Sequence, residues 1–442
     1  MVKTVWTDAR DIAKLAFPIA ISMMGATLIG VVDTIMVAPL GTIPLAAVSL
    51  TAAVMIVFYS ALYGFISVTG VRMAEGFGAG NNAALSNATR TGLRIALVTG
   101  IVGAILMIVI RPYLIYLDQP VEVVAALQGY WITMALTLVP FTLFYVLKGL
   151  FDAIDAPWIG VALAFFAVAL NVPANWVLIH GLGDWQGLGV LGAGLASLLS
   201  QTVCLGVAVW VWRYSSKLSV ARVAAVADPA EPKTQITQGS AVSLGYLGEG
   251  GAYAVASFLM GWFGAVALAA NQIVASIGGV LYMVPLGVAI AVSLRIGNAM
   301  GKGNTHRIAQ IGGGALIVIV AWMAGVTALI LIFGSRIAHA LFADPAVVTL
   351  AISLFIITAL MQIFDGVQGT MSGACRGMTD NFVPVSITMV SYWAVALPLG
   401  YTIGFVWGFG PLGVWLGYGI GLILAATLLT WRFFTQATVR AV

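Results

Sequence analysis

Charged residues are scarce in this chain of 442 residues: Asp, Glu, Lys and Arg together make up 8% of it, and 61% of its residues are hydrophobic. Soluble globular domains typically carry about 25% charged residues. The mean hydropathy of +1.07 points the same way. The composition therefore excludes an ordinary soluble protein.

Cysteine and histidine are also rare, with 2 and 3 copies. Cys204 and Cys375 lie in apolar runs without metal-binding or redox spacing, so we interpret them as buried apolar side chains. No HExxH or CxxC pairing occurs among the histidines and cysteines. These absences disfavour a metal-dependent intramembrane hydrolase, and we predict that the protein uses no cofactor.

A nucleotide-binding loop is missing as well. The string GNAMGKGN places three residues between Gly297 and Gly301, and neither Ser nor Thr follows Lys302. A phosphate-binding loop requires four intervening residues and that hydroxyl. We interpret the string as a turn, which disfavours an ATP-driven pump unless a separate subunit supplies the ATPase.

Long apolar runs fill the chain in place of charge. A membrane-spanning helix needs about 20 mostly apolar residues, and these runs are too long and too uniformly apolar for the strands of a membrane barrel. Helices satisfy their own backbone polar groups in lipid. We therefore predict an all-α integral membrane protein with twelve transmembrane helices, covering residues 13–38, 44–71, 91–110, 123–150, 158–180, 189–212, 239–262, 265–294, 309–333, 346–374, 382–405 and 411–431.

The basic residues orient these spans. With the N-terminus inside, 17 of the 19 Lys and Arg residues fall in inside segments, and only Arg111 and Arg336 fall outside. Such an asymmetry indicates cytoplasmic loops. We predict a multi-pass protein of the cell (inner) membrane with both termini in the cytoplasm. Because the positive charge serves orientation in a lipid bilayer, no nucleic-acid partner is expected.

The chain divides into two similar halves. The long polar stretch 213–238 predicts a cytoplasmic linker between an N-lobe (1–212) and a C-lobe (239–442) of six helices each. Shifting the sequence by 223 positions aligns Leu40–Asn81 with Phe263–Asn304 at 12 identities in 42 positions, where chance gives about one in ten. Two pseudo-symmetric lobes inserted in the same orientation form the parallel-repeat plan of some secondary transporters.

Three acids lie well inside predicted spans: Asp33, Glu249 and Asp365. An acid at the centre of a membrane helix costs about 2.5 to 3.5 kcal/mol and normally faces the bundle interior, where it binds cations or protons. No Lys or Arg is expected at a comparable depth. Proton uptake and binding of a hard cation such as Na⁺ both remain open.

Polar neighbours support these sites. Asn171 and Asn175 are four residues apart and therefore share one helix face. Gln362 lies one turn before Asp365 and offers both a donor and an acceptor. We expect these amides to accompany the acids.

Helix-loosening residues accompany the acids too. Pro18, Gly25 and Gly30 are expected to make the first span bendable near Asp33. Glu249 lies in the segment GYLGEGGAY, whose glycines would let an ion or a neighbouring helix come close.

Several segments together resemble those of the multidrug and toxic compound extrusion (MATE) family, in its NorM-type branch, over essentially the whole chain. They are GVVDTIMVAPLG, LNVPANWVLIHG, LGEGGAYAVASFLMGWFGAVALAANQI, VPLGVAIAVSLRIGNAMGKGN, FDGVQGTMSGACRGMTD and SYWAVALPLGY. The resemblance implies two V-shaped lobes that export organic cations, such as drugs and dyes, in exchange for Na⁺ or H⁺. We expect such a protein to function as a monomer.

The resemblance also assigns residues. It implies an N-lobe cation or proton site of Asp33, Asn171, Asn175 and Ser197, where Ser197 stands in place of a frequent Thr.

For the C-lobe, the resemblance implies a Na⁺ or H⁺ site of Glu249 and Asp365. Relatives described as binding Na⁺ carry Tyr one turn before the second acid, and this chain has Met361 there.

Three other functions stay open. A flippase for lipid-linked saccharides belongs to the same superfamily, but its pyrophosphate cargo would favour deep Lys or Arg residues. An intramembrane enzyme would turn over a lipid without an ion gradient. A channel would conduct ions far faster than a carrier.

Overall fold

The protein is a bundle of long helices. The computed structural model describes residues 2–117, 121–226, 228–341 and 344–441. Within that part of the chain, the one β-type contact is an isolated bridge between Leu182 and Trp185. Twelve long helices follow in order: α1 (Val2–Val37), α2 (Thr42–Gly78), α3 (Asn82–Ile110), α4 (Gln128–Ala153), α5 (Pro157–His180), α6 (Val190–Tyr214), α7 (Ala230–Gly261), α8 (Ala265–Gly301), α9 (Ile308–Leu341), α10 (Pro345–Gly377), α11 (Phe382–Val406) and α12 (Pro411–Ala441).

Eleven helices in the described ranges are long and apolar enough to cross a membrane, and α7 does not meet that measure. Its first turns carry Glu231 and Lys233, and its middle carries the glycines around Glu249, so its mean hydropathy is low. The predicted all-α integral membrane class is confirmed. Each predicted span except the fourth falls on one long helix to within a few residues. The fourth is divided between a short helix, Val121–Ala126, and α4.

Two helices deviate from regular α geometry. Helix α8 is interrupted at Tyr282, between Ala265–Leu281 and Met283–Gly301. Helix α11 contains two π-helical segments, Val390–Ala396 and Thr402–Val406. Wide π turns inside α-helices are frequent at functional sites.

The chain forms two compact units. Unit 1 comprises Met1–Ala20 and Leu244–Val442, and unit 2 comprises Ile21–Ser243. The predicted lobe limits at 212 and 239 stay a prediction, because compactness alone does not define the functional lobes.

The predicted linker is largely ordered. After α6, the segment Ser216–Ala221 forms a 3₁₀ helix, and α7 already begins at Ala230. Ala227 lies outside the described residues. Glu231 and Gln235 are 3% and 2% exposed, so the second part of this polar stretch packs into unit 2.

Unit 2 has an apolar core between α2, α3 and α4. Trp131 is fully buried there, and its indole N–H donates a hydrogen bond of 2.7 Å to the backbone oxygen of Met107. Burial of a large aromatic ring is favourable when its polar edge keeps a partner.

Unit 1 uses small residues for close helix packing. A Cβ atom added at Gly373 of α10 would lie 2.3 Å from the backbone oxygen of Ala289 in α8, and one added at Gly312 of α9 would lie 2.1 Å from Cε1 of Phe433 in α12. Such contacts suit membrane helices, whose association depends on close van der Waals packing.

The repeat is visible in the turns before α2 and α8. Gly41 and Gly264, which are 223 positions apart, have φ angles of 115° and 101° and both have ψ near 180°. Only glycine adopts these angles without strain. The duplication therefore extends to backbone geometry.

Candidate functional site

Unit 2 brings four predicted residues into one buried network. Asp33 from α1 lies beside Asn171 and Asn175 of α5 and Ser197 of α6. The carboxylate Oδ1 accepts a hydrogen bond of 2.7 Å from Asn175 Nδ2, and Oδ2 accepts one of 2.6 Å from Ser197 Oγ. None of the four side chains is more than 1% exposed. The network has the geometry of a closed carboxylate site.

The two asparagines complete the network. Asn175 Nδ2 also donates to Asn171 Oδ1 at 2.9 Å, and Asn171 Nδ2 donates to Ser197 Oγ at 3.2 Å. Because the two residues are one turn apart on α5, their amides point the same way. The buried Asn175 Oδ1 accepts no hydrogen bond from the described residues. This oxygen is available to a cation that approaches Asp33.

Unit 1 brings Glu249 of α7 and Asp365 of α10 within electrostatic range of each other. Both residues are partly buried. Gln368, one turn after Asp365, is near enough to Glu249 for a hydrogen-bond interaction. Gln362 lies one turn before Asp365. The amide oxygens of both glutamines are buried, and they accept no hydrogen bond from residues in the described ranges. The site is therefore rich in oxygen acceptors.

Tyrosines surround the two acids of unit 1. Tyr282, at the interruption of α8, lies within electrostatic range of Glu249. Tyr392 and Tyr418 stack with ring centroids 5.4 Å apart. The hydroxyl groups within electrostatic range of Glu249, Asp365 or both belong to Tyr253, Tyr282, Tyr392 and Tyr418. A phenol ring can bind a cation over its face and donate a hydrogen bond to a carboxylate at its edge.

The glycines around Glu249 contact helix α11. A Cβ added at Gly248 would lie 2.3 Å from Cε of Met389, and one at Gly251 would lie 3.2 Å from the ring of Trp393. Trp393 Nε1 donates a hydrogen bond of 3.0 Å to the backbone oxygen of Gly248. These two glycines serve helix packing, which was one of the two interpretations from sequence. The π-helical segment of α11 thereby reaches the backbone beside Glu249.

The supporting residues of the first span have different surroundings. Pro18 is buried in α1, which runs uninterrupted from Val2 to Val37. Gly25 allows α1 to approach α5, since an added Cβ would lie 3.1 Å from Cβ of Ala164, and Gly30 has open space. A bend in α1 near Asp33 stays a prediction.

Met361 occupies the position of the expected tyrosine. Its Cε would lie 2.1 Å from a Cβ atom added at Gly419 of α12, so the thioether packs on the backbone of that helix. A thioether is a poor ligand for a hard cation. The oxygens of Glu249, Asp365, Gln362 and Gln368 remain as the available ligands.

The sequence interpretation missed several residues near the acids. Arg376 is 6% exposed. Its positive charge lies within electrostatic range of Glu249, and its effect there is smaller than that of Asp365 or Gln368. Because Arg376 follows the predicted tenth span, the sequence places it among the basic residues of a cytoplasmic loop. Gln368 was the missed residue with a readable signal, because it lies three positions after Asp365 and therefore shares its helix face.

Long apolar helices that carry a buried carboxylate in unit 2 and a partly buried pair of carboxylates in unit 1 define an integral membrane protein. The MatE family model matches residues 18–177 and 242–402. The chain therefore belongs to the MatE family and is a transporter, so the intramembrane enzyme considered above is excluded. The family model matches once in each half, in agreement with the internal repeat.

Individual relatives match nearly the whole chain. A probable multidrug resistance protein NorM from Bradyrhizobium diazoefficiens is 31% identical, with 95% of this chain and 92% of the relative covered. The multidrug resistance protein PmpM from Pseudomonas aeruginosa is 28% identical, with 97% and 92% covered.

Solved structures share the fold. A crystal structure of MATE in the bent conformation has a TM-score of 0.90 at 20% identity, with 99% of this chain and 98% of that chain covered. The Vibrio cholerae MATE transporter VcmN in the bent form has a TM-score of 0.89 at 17% identity, with 99% of both chains covered.

Proposed function

We propose that the chain is a secondary antiporter of the inner membrane that exports small organic cations, including drugs and dyes, in exchange for Na⁺ or H⁺. The observation that carries the proposal is that Asp33, Glu249 and Asp365 lie in long helices without a basic partner among the described residues. Asp33 and Asp365 lie on helices long and apolar enough to cross a membrane, and Glu249 lies on α7. No ion pair joins any of the three acids to Lys or Arg in the described part of the chain. The names of the NorM and PmpM relatives support drug export.

In this proposal, Asp33 takes up the coupling ion within unit 2. A proton would neutralise the carboxylate and change the hydrogen bonds from Asn175 and Ser197. A Na⁺ ion would bind the carboxylate together with amide oxygens, since hard cations prefer oxygen ligands. The unpartnered Asn175 Oδ1 suits the second case. Either event removes a buried negative charge.

Glu249 and Asp365 form the second proposed site, within unit 1. Their mutual repulsion favours any species that brings positive charge, whether a proton, Na⁺ or an organic cation. An organic cation also gains contact with the nearby tyrosine rings. Competition between the coupling ion and the exported cation for the same negative field would couple their movements in opposite directions by alternating access.

The available energy is sufficient for such an exchange. One elementary charge moved across 100 mV is worth about 2.3 kcal/mol, which corresponds to roughly a fiftyfold concentration ratio. A single coupling ion per cycle is therefore enough to drive appreciable export of a monovalent cation.

The decisive experiment is transport by purified full-length protein in proteoliposomes. Ethidium movement is measured with a Na⁺ gradient alone and with a H⁺ gradient alone, and empty liposomes are the control. We expect one gradient to drive ethidium transport and the other to have no effect. Absence of transport under both gradients, with correctly folded and oriented protein, would refute the antiporter.

Two other outcomes would redirect the assignment. Gradient-independent transfer of a pyrophosphate-linked saccharide between leaflets would favour the flippase. Ion fluxes far above carrier rates would favour a channel.

The proposal includes the topology and the functional unit. We propose that both termini lie in the cytoplasm and that one chain suffices for transport. Fluorescent and periplasmic reporters fused to each end test the first statement. Reconstitution at less than one chain per liposome tests the second, since the transporting fraction should then follow single-chain occupancy.

A further inference from the structure

Two stretches of unit 2 contain no acidic residue. Neither Asp nor Glu occurs in residues 76–117 or in residues 185–227. The first stretch contains α3, and the second contains α6 and the 3₁₀ helix Ser216–Ala221. At the end that faces the cytoplasm in the proposed topology, the two stretches carry five bases: Arg90, Arg94, Arg213, Lys217 and Arg222. Positive charge there has no acid within the same stretch to balance it.

The 3₁₀ helix Ser216–Ala221 joins the two stretches. It packs against both α3 and α6, and its Leu218 is fully buried. Shortly after this helix, the backbone oxygen of Val223 accepts hydrogen bonds of 2.9 Å from Ser86 Oγ and 3.3 Å from Arg90 Nη2, both on α3. The basic ends of α3 and α6 therefore border one short segment.

Three of the five bases are exposed and have no partner. Arg94, Arg213 and Lys217 make neither an ion pair nor a side-chain hydrogen bond with the described residues. Arg222 differs, because it donates a hydrogen bond of 2.9 Å to the backbone oxygen of Ser215 at the end of α6. The three exposed charges are therefore available to an anion from outside the protein.

The acids that flank the stretches at this end act on a different base. All three act on Arg72 of α2: Glu75, Asp228 and Glu231. The Oε2 atom of Glu231 accepts a hydrogen bond of 2.7 Å from Nη2 of Arg72. Gln235, one turn later on α7, donates one of 3.2 Å to the backbone oxygen of Ala88 on α3. The start of α7 is thus packed on α2 and α3 with its acid directed at Arg72.

Exposed apolar side chains continue from the arginines along α3. Arg94 shares a helix face with Val98 and Ile101, which lie about one and two turns further on and are 59% and 43% exposed. Arg90 lies one turn earlier. Because Arg94 is only three residues inside the predicted span 91–110, its long side chain can reach the level of the lipid headgroups. A phospholipid matches this order, with its phosphate at the arginines and its acyl chains along the apolar residues.

The end of α6 carries residues typical of a membrane surface. Trp210 and Tyr214 are 62% and 67% exposed, and their ring centroids lie 6.0 Å apart. Trp and Tyr are enriched where a membrane meets water. Since Arg213 lies between these two residues in sequence, its charge is expected at headgroup level.

The accumulation of bases is largely confined to unit 2. At the repeat spacing of 223, the three arginines of α3 and α6 named above correspond to uncharged residues: Gly313, Ile317 and Gln436. Only Lys217 corresponds to a base, Arg440. Bases that merely orient helices would be expected in both halves, because both halves are predicted to enter the membrane in the same direction. The difference favours a ligand specific to unit 2.

We propose that the surface formed by Arg90, Arg94, Arg213 and Lys217, the α3–α6 surface, binds the phosphate of an anionic phospholipid. Clusters of Lys and Arg at the cytoplasmic ends of membrane helices attract such lipids, and the acyl chains would cover the exposed apolar face of α3. The placement in the cytoplasmic leaflet rests on the proposed topology. The binding itself does not depend on the proposed antiport.

Lipid binding by the purified full-length protein tests the α3–α6 surface. Native mass spectrometry counts bound lipids while dioleoyl phosphatidylglycerol is added to the protein in detergent, and dioleoyl phosphatidylcholine is the zwitterionic comparison. We expect the first phosphatidylglycerol to bind about tenfold more tightly than the first phosphatidylcholine, or better. Equal affinities would overturn the proposal.

Matched variants locate the site. Arg94→Gln and Arg213→Gln should each weaken phosphatidylglycerol binding about fivefold and leave phosphatidylcholine binding unchanged. Arg94→Lys keeps the charge and should bind within about twofold of the unmodified protein. Lys233→Gln and Lys302→Gln remove exposed bases outside the surface and are the controls. If the controls or Arg94→Lys lose as much affinity as Arg94→Gln, or if neither glutamine variant of the arginines loses any, the proposal is wrong.

Competition distinguishes a lipid from a soluble phosphate. Inorganic phosphate and glycerol 1-phosphate are added in large excess at constant ionic strength. We expect phosphatidylglycerol to stay bound, because its acyl chains also contact the apolar face of α3. Displacement by either anion would overturn the assignment to a lipid. None of these measurements uses an ion gradient, so absence of ethidium transport in proteoliposomes would refute the antiporter without deciding the lipid site.

Discussion

The acid of unit 2 and the acids of unit 1 have opposite surroundings. Asp33 is buried and accepts hydrogen bonds from Asn175 and Ser197. Among the described residues, no second carboxylate acts on it. Glu249 and Asp365 are partly exposed and lie within electrostatic range of each other. The first site stabilises a single negative charge, whereas the second leaves its charges poorly compensated.

This difference teaches how the two halves diverged after duplication. At the repeat spacing, Asp33 corresponds to Ala256 and Glu249 corresponds to Ala26. The turn glycines Gly41 and Gly264 are retained with nearly the same backbone angles. The two halves share this turn geometry, and their membrane acids occupy different repeat positions.

Removal of the charge at Asp33 should have the largest effect. We expect Asp33→Asn to reduce ethidium efflux from cells by about tenfold or more, because no other carboxylate of the described residues acts at this position to take over the proposed coupling role. Initial efflux rates are compared at equal protein levels in the membrane. Asp184→Asn, an exposed acid of the same unit, is the control. Wild-type efflux in Asp33→Asn would break the comparison between the two sites.

Neutral substitutions of the acids should change thermal stability in opposite directions at the two sites. Asp33→Asn is expected to lower the free energy of unfolding by about 1 to 3 kcal/mol, since the donors of Asn175 and Ser197 lose a charged acceptor. Glu249→Gln is expected to raise the melting temperature, because it removes repulsion from Asp365.

Both melting temperatures are measured without ligand, at one scan rate and in alkaline buffer that keeps the carboxylates ionised. If both substitutions shift the melting temperature in the same direction, the proposed difference in charge stabilisation between Asp33 and the Glu249–Asp365 pair is wrong.

The smallest of these effects is expected at Ser197. Ser197→Ala removes the hydrogen bond of 2.6 Å to Asp33 and should slow efflux about fivefold, corresponding to roughly 1 kcal/mol. Ser197→Thr keeps the hydroxyl and should restore most of the rate. Equal rates for Ala and Thr would mean that the hydrogen bond to Asp33 has no part in coupling.

Some features of the site were accessible from sequence. Asn171 and Asn175 were expected to act together because of their helical spacing, and the structure joins them by a hydrogen bond. The link from Ser197 to Asp33 spans 164 positions, and it was expected only through family resemblance. Spacing along one helix predicts a shared face, but it does not identify the helix opposite.

Other features depended on packing that no local pattern records. Tyr392 and Trp393 reach the region of Glu249 from a π-helical segment, and no motif marked that departure from α geometry. The sequence places Glu231 in the predicted cytoplasmic linker because polar residues surround it. Its burial follows from partners on α2 and α3, which were too far away in sequence to be foreseen.

The sequence by itself determined the membrane class, the helix positions, the duplication and the three unusual acids. It does so because lipid requires long apolar helices, against which every charge is conspicuous. Only the tertiary structure decided which groups surround each acid and where α1 and α7 pass from one unit to the other. Those properties arise from contacts between distant segments, and a hydrogen bond or ion pair exists only when folding brings both partners together.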